Sequence, residues 1–372
     1  MQTGQLWDIF CTVIDNHGDL GVCWRLTRQL RDAGQRVRLW VDDASALAWM
    51  APTAHQDPGI EVRPWADASQ ASTLQALPPA DVWVEAFGCT LPEAFVAHGV
   101  ATRAQQPWWI NLEYLSAEDW VPRMHQLPSP IMSGPAKGWS KTFFYPGFTE
   151  DTGGLLRETD LLERQQNFDL VKRSAWRQQH APNLPPNGLL ISLFCYEPAA
   201  LTQLLGQLVG TPHHLLVTPS RPLAAVLQAL KGMSAHPSWS ALPYTDQNGF
   251  DEMLWACDLN FVRGEDSLVR ALWAGQPFIW HIYPQDDNAH HAKLEAFLDW
   301  MQAPESLRKA HRVWNGMEAS EWPALNAETL EIWSQNTQTR RHQLSGQTDL
   351  VTQLIACVAM SDSSADATVP TT

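Results

Sequence analysis

The chain has 372 residues, of which 45% are hydrophobic and 17% charged, and its formal net charge is −15. This length exceeds one ordinary hydrophobic core and predicts about two domains, and the composition excludes an intrinsically disordered chain. The excess of acidic groups repels phosphate backbones, which excludes nucleic acid as a partner.

The cysteines and the apolar segments indicate the cellular compartment of the chain. Its six cysteines are scattered, with no Cys-x-x-Cys pair, which predicts free thiols in a reducing cytoplasm. Residues 1–14 lack the basic start and long apolar stretch of a secretory signal. No uninterrupted apolar run reaches roughly 18 residues, so no membrane span is expected. Cys11 and Cys195 lie in strand-like apolar runs without a His/Asp constellation, which favours small buried hydrophobes over nucleophiles.

The first third of the chain alternates strand-like and helical patterns. Residues 9–14 predict a buried strand, a polar loop follows, and residues 20–33 predict a helix that Gly34 ends. Further strands are predicted at 37–41, 82–87 and 108–112, with 142–148 as one more candidate. This spacing predicts a parallel sheet with right-handed crossovers.

The same pattern restarts after a region rich in Pro, Gly and Ser at 128–154. Strands are predicted at 189–195, 214–218, 241–244, 259–262 and 278–282. The fold class is therefore α/β, with two Rossmann-like doubly wound domains facing across a cleft. We expect an N-terminal domain at 1–154, a second domain at 155–335, a helical segment at 336–360 that returns toward the N-terminal domain, and a disordered tail at 361–372.

The loop after the first strand holds carboxylates where a dinucleotide site would hold glycines. Its residues are Asp15, Asn16, His17, Gly18 and Asp19. Two carboxylates repel a pyrophosphate but hold a hydroxyl, an amine or a guanidinium. Such a loop lies at the carboxyl ends of parallel strands, where α/β proteins bind ligands. Asp19 has a plainer alternative, since it could serve as the N-cap of the helix that follows.

A second loop, 263–267, has the opposite chemistry. Gly264 lets the chain turn, and the helix predicted from about Leu268 presents unpaired N–H groups beside Arg263. Together these groups predict a seat for a diphosphate. The alternative is that Asp266 or Ser267 only caps the helix, which leaves Arg263 and Gly264 unexplained.

Two other features have competing interpretations. Phe194 and Tyr196 are two residues apart at a strand end and face the same side, which suits either base stacking or core packing. Adjacent His290 and His291 invite a metal hypothesis, but neighbouring helical residues point about 100° apart and rarely chelate one ion. We therefore expect no metal site there.

Both loops resemble the protein-arginine rhamnosyltransferases of bacteria. The opening stretch reads Ile9-Phe10-Cys11-x-Val13-Ile14-Asp15-Asn16-x-Gly18-Asp19-x-Gly21, and the later one reads Phe261-Val262-Arg263-Gly264-Glu265-Asp266-Ser267 and continues to Gln285. The resemblance extends from about residue 6 to about residue 350. His17 departs from it, because the family more often has Phe there.

The resemblance implies a GT-B fold and a cytoplasmic enzyme. The reaction it implies is inverting transfer of L-rhamnose from dTDP-β-L-rhamnose to an arginine of elongation factor P, without a metal or other cofactor. It assigns Asp19 as the general base, with Asp15 and Glu265 as further essential carboxylates and Asn16 and Gly18 as loop residues. The donor-binding residues that it implies are Arg263, Asp266, Ser267, Phe194, Tyr196, Gln247 and Tyr283.

Two other functions stay open on the sequence. One is a GT-B nucleotide-sugar transferase with another acceptor, although no basic or amphipathic membrane-binding segment favours a lipid. The other is a non-catalytic protein that binds elongation factor P or a nucleotide. Three carboxylates beside a donor site would be unusual in such a binding protein.

Overall fold

The structure is a computed structural model that describes residues 4–14 and 17–365. It divides into two compact units. The first unit extends to Glu158 and takes up the chain again from Gln347, and the second unit spans Thr159–Gly346. The predicted α/β class is confirmed, because each unit is built on its own mainly parallel sheet with helices between the strands.

Within residues 4–14 and 17–365, the first unit contains seven strands. They are β1 (Leu6–Cys11), β2 (Arg36–Val41), β3 (Ile60–Pro64), β4 (Val82–Ala86), β5 (Trp108–Leu112), β6 (Pro128–Pro130) and β7 (Ser140–Phe144). Their order in the sheet is β3-β2-β1-β4-β5-β7-β6, and only β6 is antiparallel to its neighbour. The carboxyl end of β1 therefore lies near the centre of the sheet.

The helices of this unit cover the sheet. They are α1 (Gly18–Asp32), α2 (Leu47–Met50), α3 (Ala71–Ala76), α4 (Glu93–Thr102), α5 (Val121–Met124) and, after the second unit, α15 (Leu350–Ala365). Apolar residues of α15, Leu350, Val351, Leu354 and Val358, join the core beneath α1. This burial ties the end of the chain to the first unit.

The second unit has a five-stranded parallel sheet in the order β10-β9-β8-β11-β12. Its strands are β8 (Leu190–Leu193), β9 (His214–Val217), β10 (Ser238–Ala241), β11 (Leu259–Arg263) and β12 (Phe278–His281). Its helices are α6 (Leu161–Asn167), α7 (Leu170–His180), α8 (Leu201–Leu208), α9 (Arg221–Leu230), α10 (Gln247–Ala256), α11 (Gly264–Ala274), α12 (Ala289–Trp300), α13 (Glu305–Trp314) and α14 (Ala327–Ser345).

The first strand begins and ends earlier than the sequence predicted. It covers Leu6–Cys11 and not 9–14, because Asp8 is buried within it. Arg38 of β2 donates two hydrogen bonds to this carboxylate, at 2.6 and 2.7 Å, and Trp40 Nε1 donates a third at 2.8 Å. A charged residue in an apolar strand looks like a boundary unless its partner on the next strand is known.

The structure also corrects several predicted limits. The edge strands β3 and β6 were missed, and β10 lies three residues before the predicted 241–244. The long helix α14 belongs to the second unit, so the return to the first unit begins at Gln347 and not at 336. Helix α15 continues to Ala365, which places 361–365 of the predicted disordered tail in a helix. The rest of that tail, 366–372, lies outside the described residues.

Candidate active site

Asp19 lies in the first turn of α1, the helix that follows β1 in the chain. It is buried, and its Oδ2 accepts a hydrogen bond from the Ile14 N–H at 2.9 Å. The N-cap position belongs to His17 and has no side-chain cap hydrogen bond, so the capping alternative for Asp19 was wrong. The buried Asp19 carboxylate thus holds the backbone at Ile14, in the segment that follows β1.

The rest of the acidic loop is described only in part. Gly18 is the first residue of α1 and not a loop residue, whereas Asp15 and Asn16 lie outside the described residues. Val13 N–H donates to Asp42 Oδ1 at 3.0 Å, which holds the chain just before this segment. The predicted roles of Asp15 and Asn16 stay predictions.

Helix α1 is held in place by buried contacts on the side away from solvent. Arg25 Nη1 lies 3.0 Å from Glu158 Oε1, and both side chains are buried. Cys23, one turn after Asp19, is fully buried, and burial followed by a hydrogen bond with Cys11 raises the pKa of its thiol. A raised pKa and full burial keep the Cys23 thiol protonated and inert.

In the second unit, the predicted loop at 263–267 is a direct passage from strand to helix. Arg263 ends β11, and Gly264 begins α11 with a φ of 58°. This left-handed conformation favours glycine. Trp280 Nε1 donates to the Gly264 carbonyl at 2.8 Å and fixes the turn. The helix was predicted to start at Leu268 because glycine usually signals a turn outside a helix.

Ser267 fastens this turn from inside the helix. Its Oγ accepts from the Arg263 N–H at 2.9 Å and donates to the Arg263 carbonyl. The side chain is buried. The N-cap of α11 is Arg263, without a side-chain cap hydrogen bond, so the capping alternative for Asp266 or Ser267 was wrong. The Ser267 hydroxyl instead shapes the backbone that carries Arg263. Asp266 follows Glu265 in the first turn and is half-buried.

The Arg263 side chain lies between two aromatic rings. Its guanidinium carbon is 4.6 Å from the centre of the Phe194 ring and 4.7 Å from that of Tyr196. Arg263 is 5% exposed, and its Nη1 has no hydrogen-bond partner among the described residues. A buried guanidinium nitrogen without a partner costs free energy unless a ligand supplies the acceptor, which makes an anion site the natural function of this group.

Tyr196 joins further groups at the carboxyl edge of this sheet. Its ring packs against His281 at 5.1 Å and Tyr283 at 5.6 Å between centroids, and its N–H donates to His281 Nδ1 at 3.3 Å. Burial, followed by the charge of Arg263, lowers the pKa of His281 to about 3. The imidazole is therefore neutral at physiological pH. Tyr283 is 41% exposed at this edge.

Gln247 begins α10 and is buried near the same edge. The helix is capped by Asp246, whose carboxylate accepts from the Gly249 N–H at 2.8 Å. Phe250 of the same helix packs against Phe194, with 5.5 Å between ring centres. The structure thus brings Phe194, Tyr196 and Arg263 into direct contact and sets α10 beside them.

Glu265 forms an ion pair that the sequence did not indicate. Its Oε1 lies 2.8 Å from Lys293 Nζ in α12. Arg221 is a second missed residue: it pairs with Glu197 through two hydrogen bonds, at 2.9 and 2.6 Å, and lies 5.0 Å from the Tyr196 ring. Both contacts join residues far apart in the chain, so no local pattern could have revealed them.

The adjacent histidines have structural roles. His290 Nδ1 accepts from the Gln285 N–H at 3.1 Å, and the two imidazole rings are 4.3 Å apart between centroids. Within the described residues, no group of three or more His, Cys, Asp or Glu side chains could hold a metal ion. Across the same residues, no helix is long and apolar enough to cross a membrane.

Comparison with known proteins connects these features to a family. The sequence profile of the family described as elongation factor P (EF-P) rhamnosyltransferase EarP matches residues 7–359. A protein-arginine rhamnosyltransferase of Pseudomonas putida is 44% identical, over 94% of this chain and 97% of its own length.

Solved structures agree with this assignment. The EarP structure from work on arginine glycosylation of translation elongation factor EF-P superposes with a TM-score of 0.63 at 33% identity, covering 95% of this chain and 98% of its own. Spinosyn rhamnosyltransferase SpnG has a TM-score of 0.51 at 10% identity, with 95% and 99% covered, and shares the fold alone. The fold is GT-B, as expected, and this chain belongs to the EarP family of elongation factor P rhamnosyltransferases.

Proposed function

We propose that this chain transfers L-rhamnose from dTDP-β-L-rhamnose to an arginine side chain of elongation factor P, with inversion at the anomeric carbon. The observation that carries the proposal is the buried Arg263 guanidinium, held between Phe194 and Tyr196 at the start of α11. Family membership supplies the acceptor and the sugar, since the related proteins are protein-arginine rhamnosyltransferases.

The donor half of the proposal rests on the second unit. The N-terminus of α11 presents its first N–H groups and the positive end of the helix dipole, which suits a diphosphate. Arg263 would meet the diphosphate oxygens, and Phe194 and Tyr196 supply flat apolar surface near the nucleotide. Gln247 and Tyr283 offer polar contacts at the same edge. Ser267 holds the backbone of Arg263, and Asp266 belongs to the same helical turn.

The acceptor half rests on carboxylates. An arginine guanidinium stays protonated, with a pKa above about 12, so it needs a partner that takes its proton as the new bond forms. Asp19 and Asp15 would hold it through charge-assisted hydrogen bonds and orient one nitrogen toward the anomeric carbon. Glu265 is proposed as a further essential carboxylate of the reaction.

The chemical step is one displacement. The guanidinium nitrogen forms a bond to the anomeric carbon as the bond to the dTDP oxygen breaks, and Asp19 accepts the proton. Negative charge grows on the departing diphosphate, where Arg263 and the α11 N-terminus stabilise it. These cationic groups perform the task that a metal ion has in other sugar transferases, so we propose a metal-independent reaction without a cofactor.

The acceptor is a translation factor, which places the proposed reaction in the cytoplasm. The chain itself fits a reducing compartment, since its six cysteines are all free thiols.

The experiment compares nucleotide sugars and determines the linkage. Purified chain and elongation factor P are incubated with dTDP-β-L-rhamnose or with UDP-glucose, and the modified arginine is characterised by NMR. Inversion predicts an α-rhamnosyl linkage formed from the dTDP donor alone. A β-linkage would contradict the single displacement, and equal use of UDP-glucose would contradict the donor.

A further inference from the structure

Lys293, which forms an ion pair with Glu265, has no role in the steps proposed above. The ion pair joins the first turn of α11 to α12, with 2.8 Å between Glu265 Oε1 and Lys293 Nζ. The two side chains are partly exposed, at 18% and 22%. Pairs that reach solvent contribute little to the stability of a fold. Stability alone therefore gives no reason for a lysine at this position.

The charges around the start of α11 supply a reason. Glu265 and Asp266 are both in the first turn, next to the N–H groups that would receive a diphosphate. Carboxylates there favour the helix through its dipole, but they repel a bound phosphate. The Lys293 ammonium group forms an ion pair with one of these two carboxylates, that of Glu265.

We propose that Lys293 is a positioning residue for donor binding: it holds the Glu265 carboxylate and balances its charge, so that the α11 N-terminus can accept the diphosphate of a nucleotide sugar. The inference rests on the proposed function, because that function places the diphosphate at this helix. Lys293 acts through Glu265 and needs no contact with the donor.

Binding of dTDP measured by titration calorimetry tests the role of the charge. Lys293→Met removes the cation that pairs with Glu265 and should weaken dTDP binding about tenfold or more, as expected when a positive charge near phosphate is lost from a partly buried site. Lys293→Arg keeps the charge and should stay within about threefold of the original chain. If Lys293→Met folds poorly, Lys293→Gln carries the same expectation.

The double variant Glu265→Gln/Lys293→Met separates charge balance from packing. Both charges are then absent, so dTDP binding should return to within about threefold of the original chain. A lysine that only packs α12 against α11 would leave the double variant as weak as Lys293→Met, and that result would overturn the proposal.

Arg312→Met is the matched control. Arg312 of α13 donates two hydrogen bonds, at 2.6 and 2.9 Å, to Glu295, which lies in α12 together with Lys293. Its loss should leave dTDP binding unchanged, and weakening equal to that of Lys293→Met would contradict a role specific to Glu265. Equal affinity of Lys293→Met and the original chain also contradicts this inference, whereas an original chain that binds no dTDP contradicts the proposed function itself.

Discussion

The Asp19 side chain is both buried and held by a hydrogen bond from the backbone. The donor is the N–H of Ile14, five residues before it. The bond fixes the orientation of the carboxylate. A general base needs this fixed orientation more than it needs exposure.

Asp19→Asn tests the base directly. The amide oxygen can still accept the Ile14 N–H, so the loop should keep its shape, but the side chain no longer takes a proton. Turnover should fall by about 10²–10⁴-fold, while dTDP affinity stays unchanged. Steady-state rates and calorimetry on the same samples measure both. Asp32→Asn, at the exposed far end of α1, is the control; wild-type-like turnover of Asp19→Asn would remove Asp19 from the mechanism.

At the scale of the element, the passage from β11 to α11 depends on one backbone conformation. Gly264 has a φ of 58° where the strand becomes a helix, and Ser267 ties the helix back to Arg263. The conformation directs Arg263 toward Phe194 and Tyr196. A small change at Gly264 therefore acts on the proposed anion site through the backbone.

Gly264→Ala should destabilise the chain by about 1–2 kcal/mol, because residues with a Cβ avoid the left-handed region. Urea unfolding measures the loss, and weaker dTDP binding should accompany it. Gly206→Ala is the matched comparison, since Gly206 lies inside α8 with open space around its position. That change should stabilise by about 0.5–1 kcal/mol. Equal effects at the two glycines would contradict a special role for the Gly264 conformation.

Much of the element pattern was predictable from apolar periodicity. Strand β5 was predicted at its observed limits, and the strands β2, β4, β9, β11 and β12 were predicted within one residue at each end. The edge strand β3 was missed because it mixes Glu61 and Arg63 with apolar residues, as an edge strand permits. The start of β1 was misplaced because Asp8 has its partner Arg38 on another strand.

Some residues of the candidate site were also predictable from the sequence, and others were not. Phe194, Tyr196 and Arg263 were proposed from the sequence, and the structure brings them into contact. Arg263 was assigned to a diphosphate from the chemistry of its loop, whereas the assignment of Phe194 and Tyr196 to the donor came from the family resemblance. Lys293 and Arg221 could not have been found, because each meets its partner only through tertiary packing. A local pattern reports neighbours in the chain and not neighbours in space.

At the scale of the whole molecule, buried neutral histidines make the fold sensitive to acid. His311 Nε2 accepts from the Trp280 N–H at 3.1 Å, and its Nδ1 lies 3.0 Å from the Leu307 carbonyl oxygen. Burial lowers the pKa of His311 to about 4 and that of His281 to about 3. Protonation of His311 would break its bond with Trp280, beside the strand that leads to His281.

The sign of the pH effect follows from these values. An unfolded histidine binds its proton near pH 6.5, and the folded chain resists protonation down to about pH 4 at His311. Stability is therefore full above about pH 6.5 and falls as the pH drops. Through His311 alone, the free energy of unfolding should fall by roughly 2 kcal/mol between pH 7 and pH 5.

Urea unfolding at both pH values measures this loss. His311→Gln, which can keep both hydrogen bonds without titrating, should show a flatter dependence on pH. Equal slopes for the variant and the original chain would contradict the assignment to His311.

The reaction proposed for the whole chain is the transfer of a nucleotide-linked rhamnose to an arginine of a second protein. Intact-mass analysis of elongation factor P, after incubation with the chain and dTDP-β-L-rhamnose, detects this transfer. We expect a mass gain of one deoxyhexose, which fragmentation places on an arginine side chain. An unchanged mass, under conditions in which the chain binds dTDP, would rule out the proposed reaction.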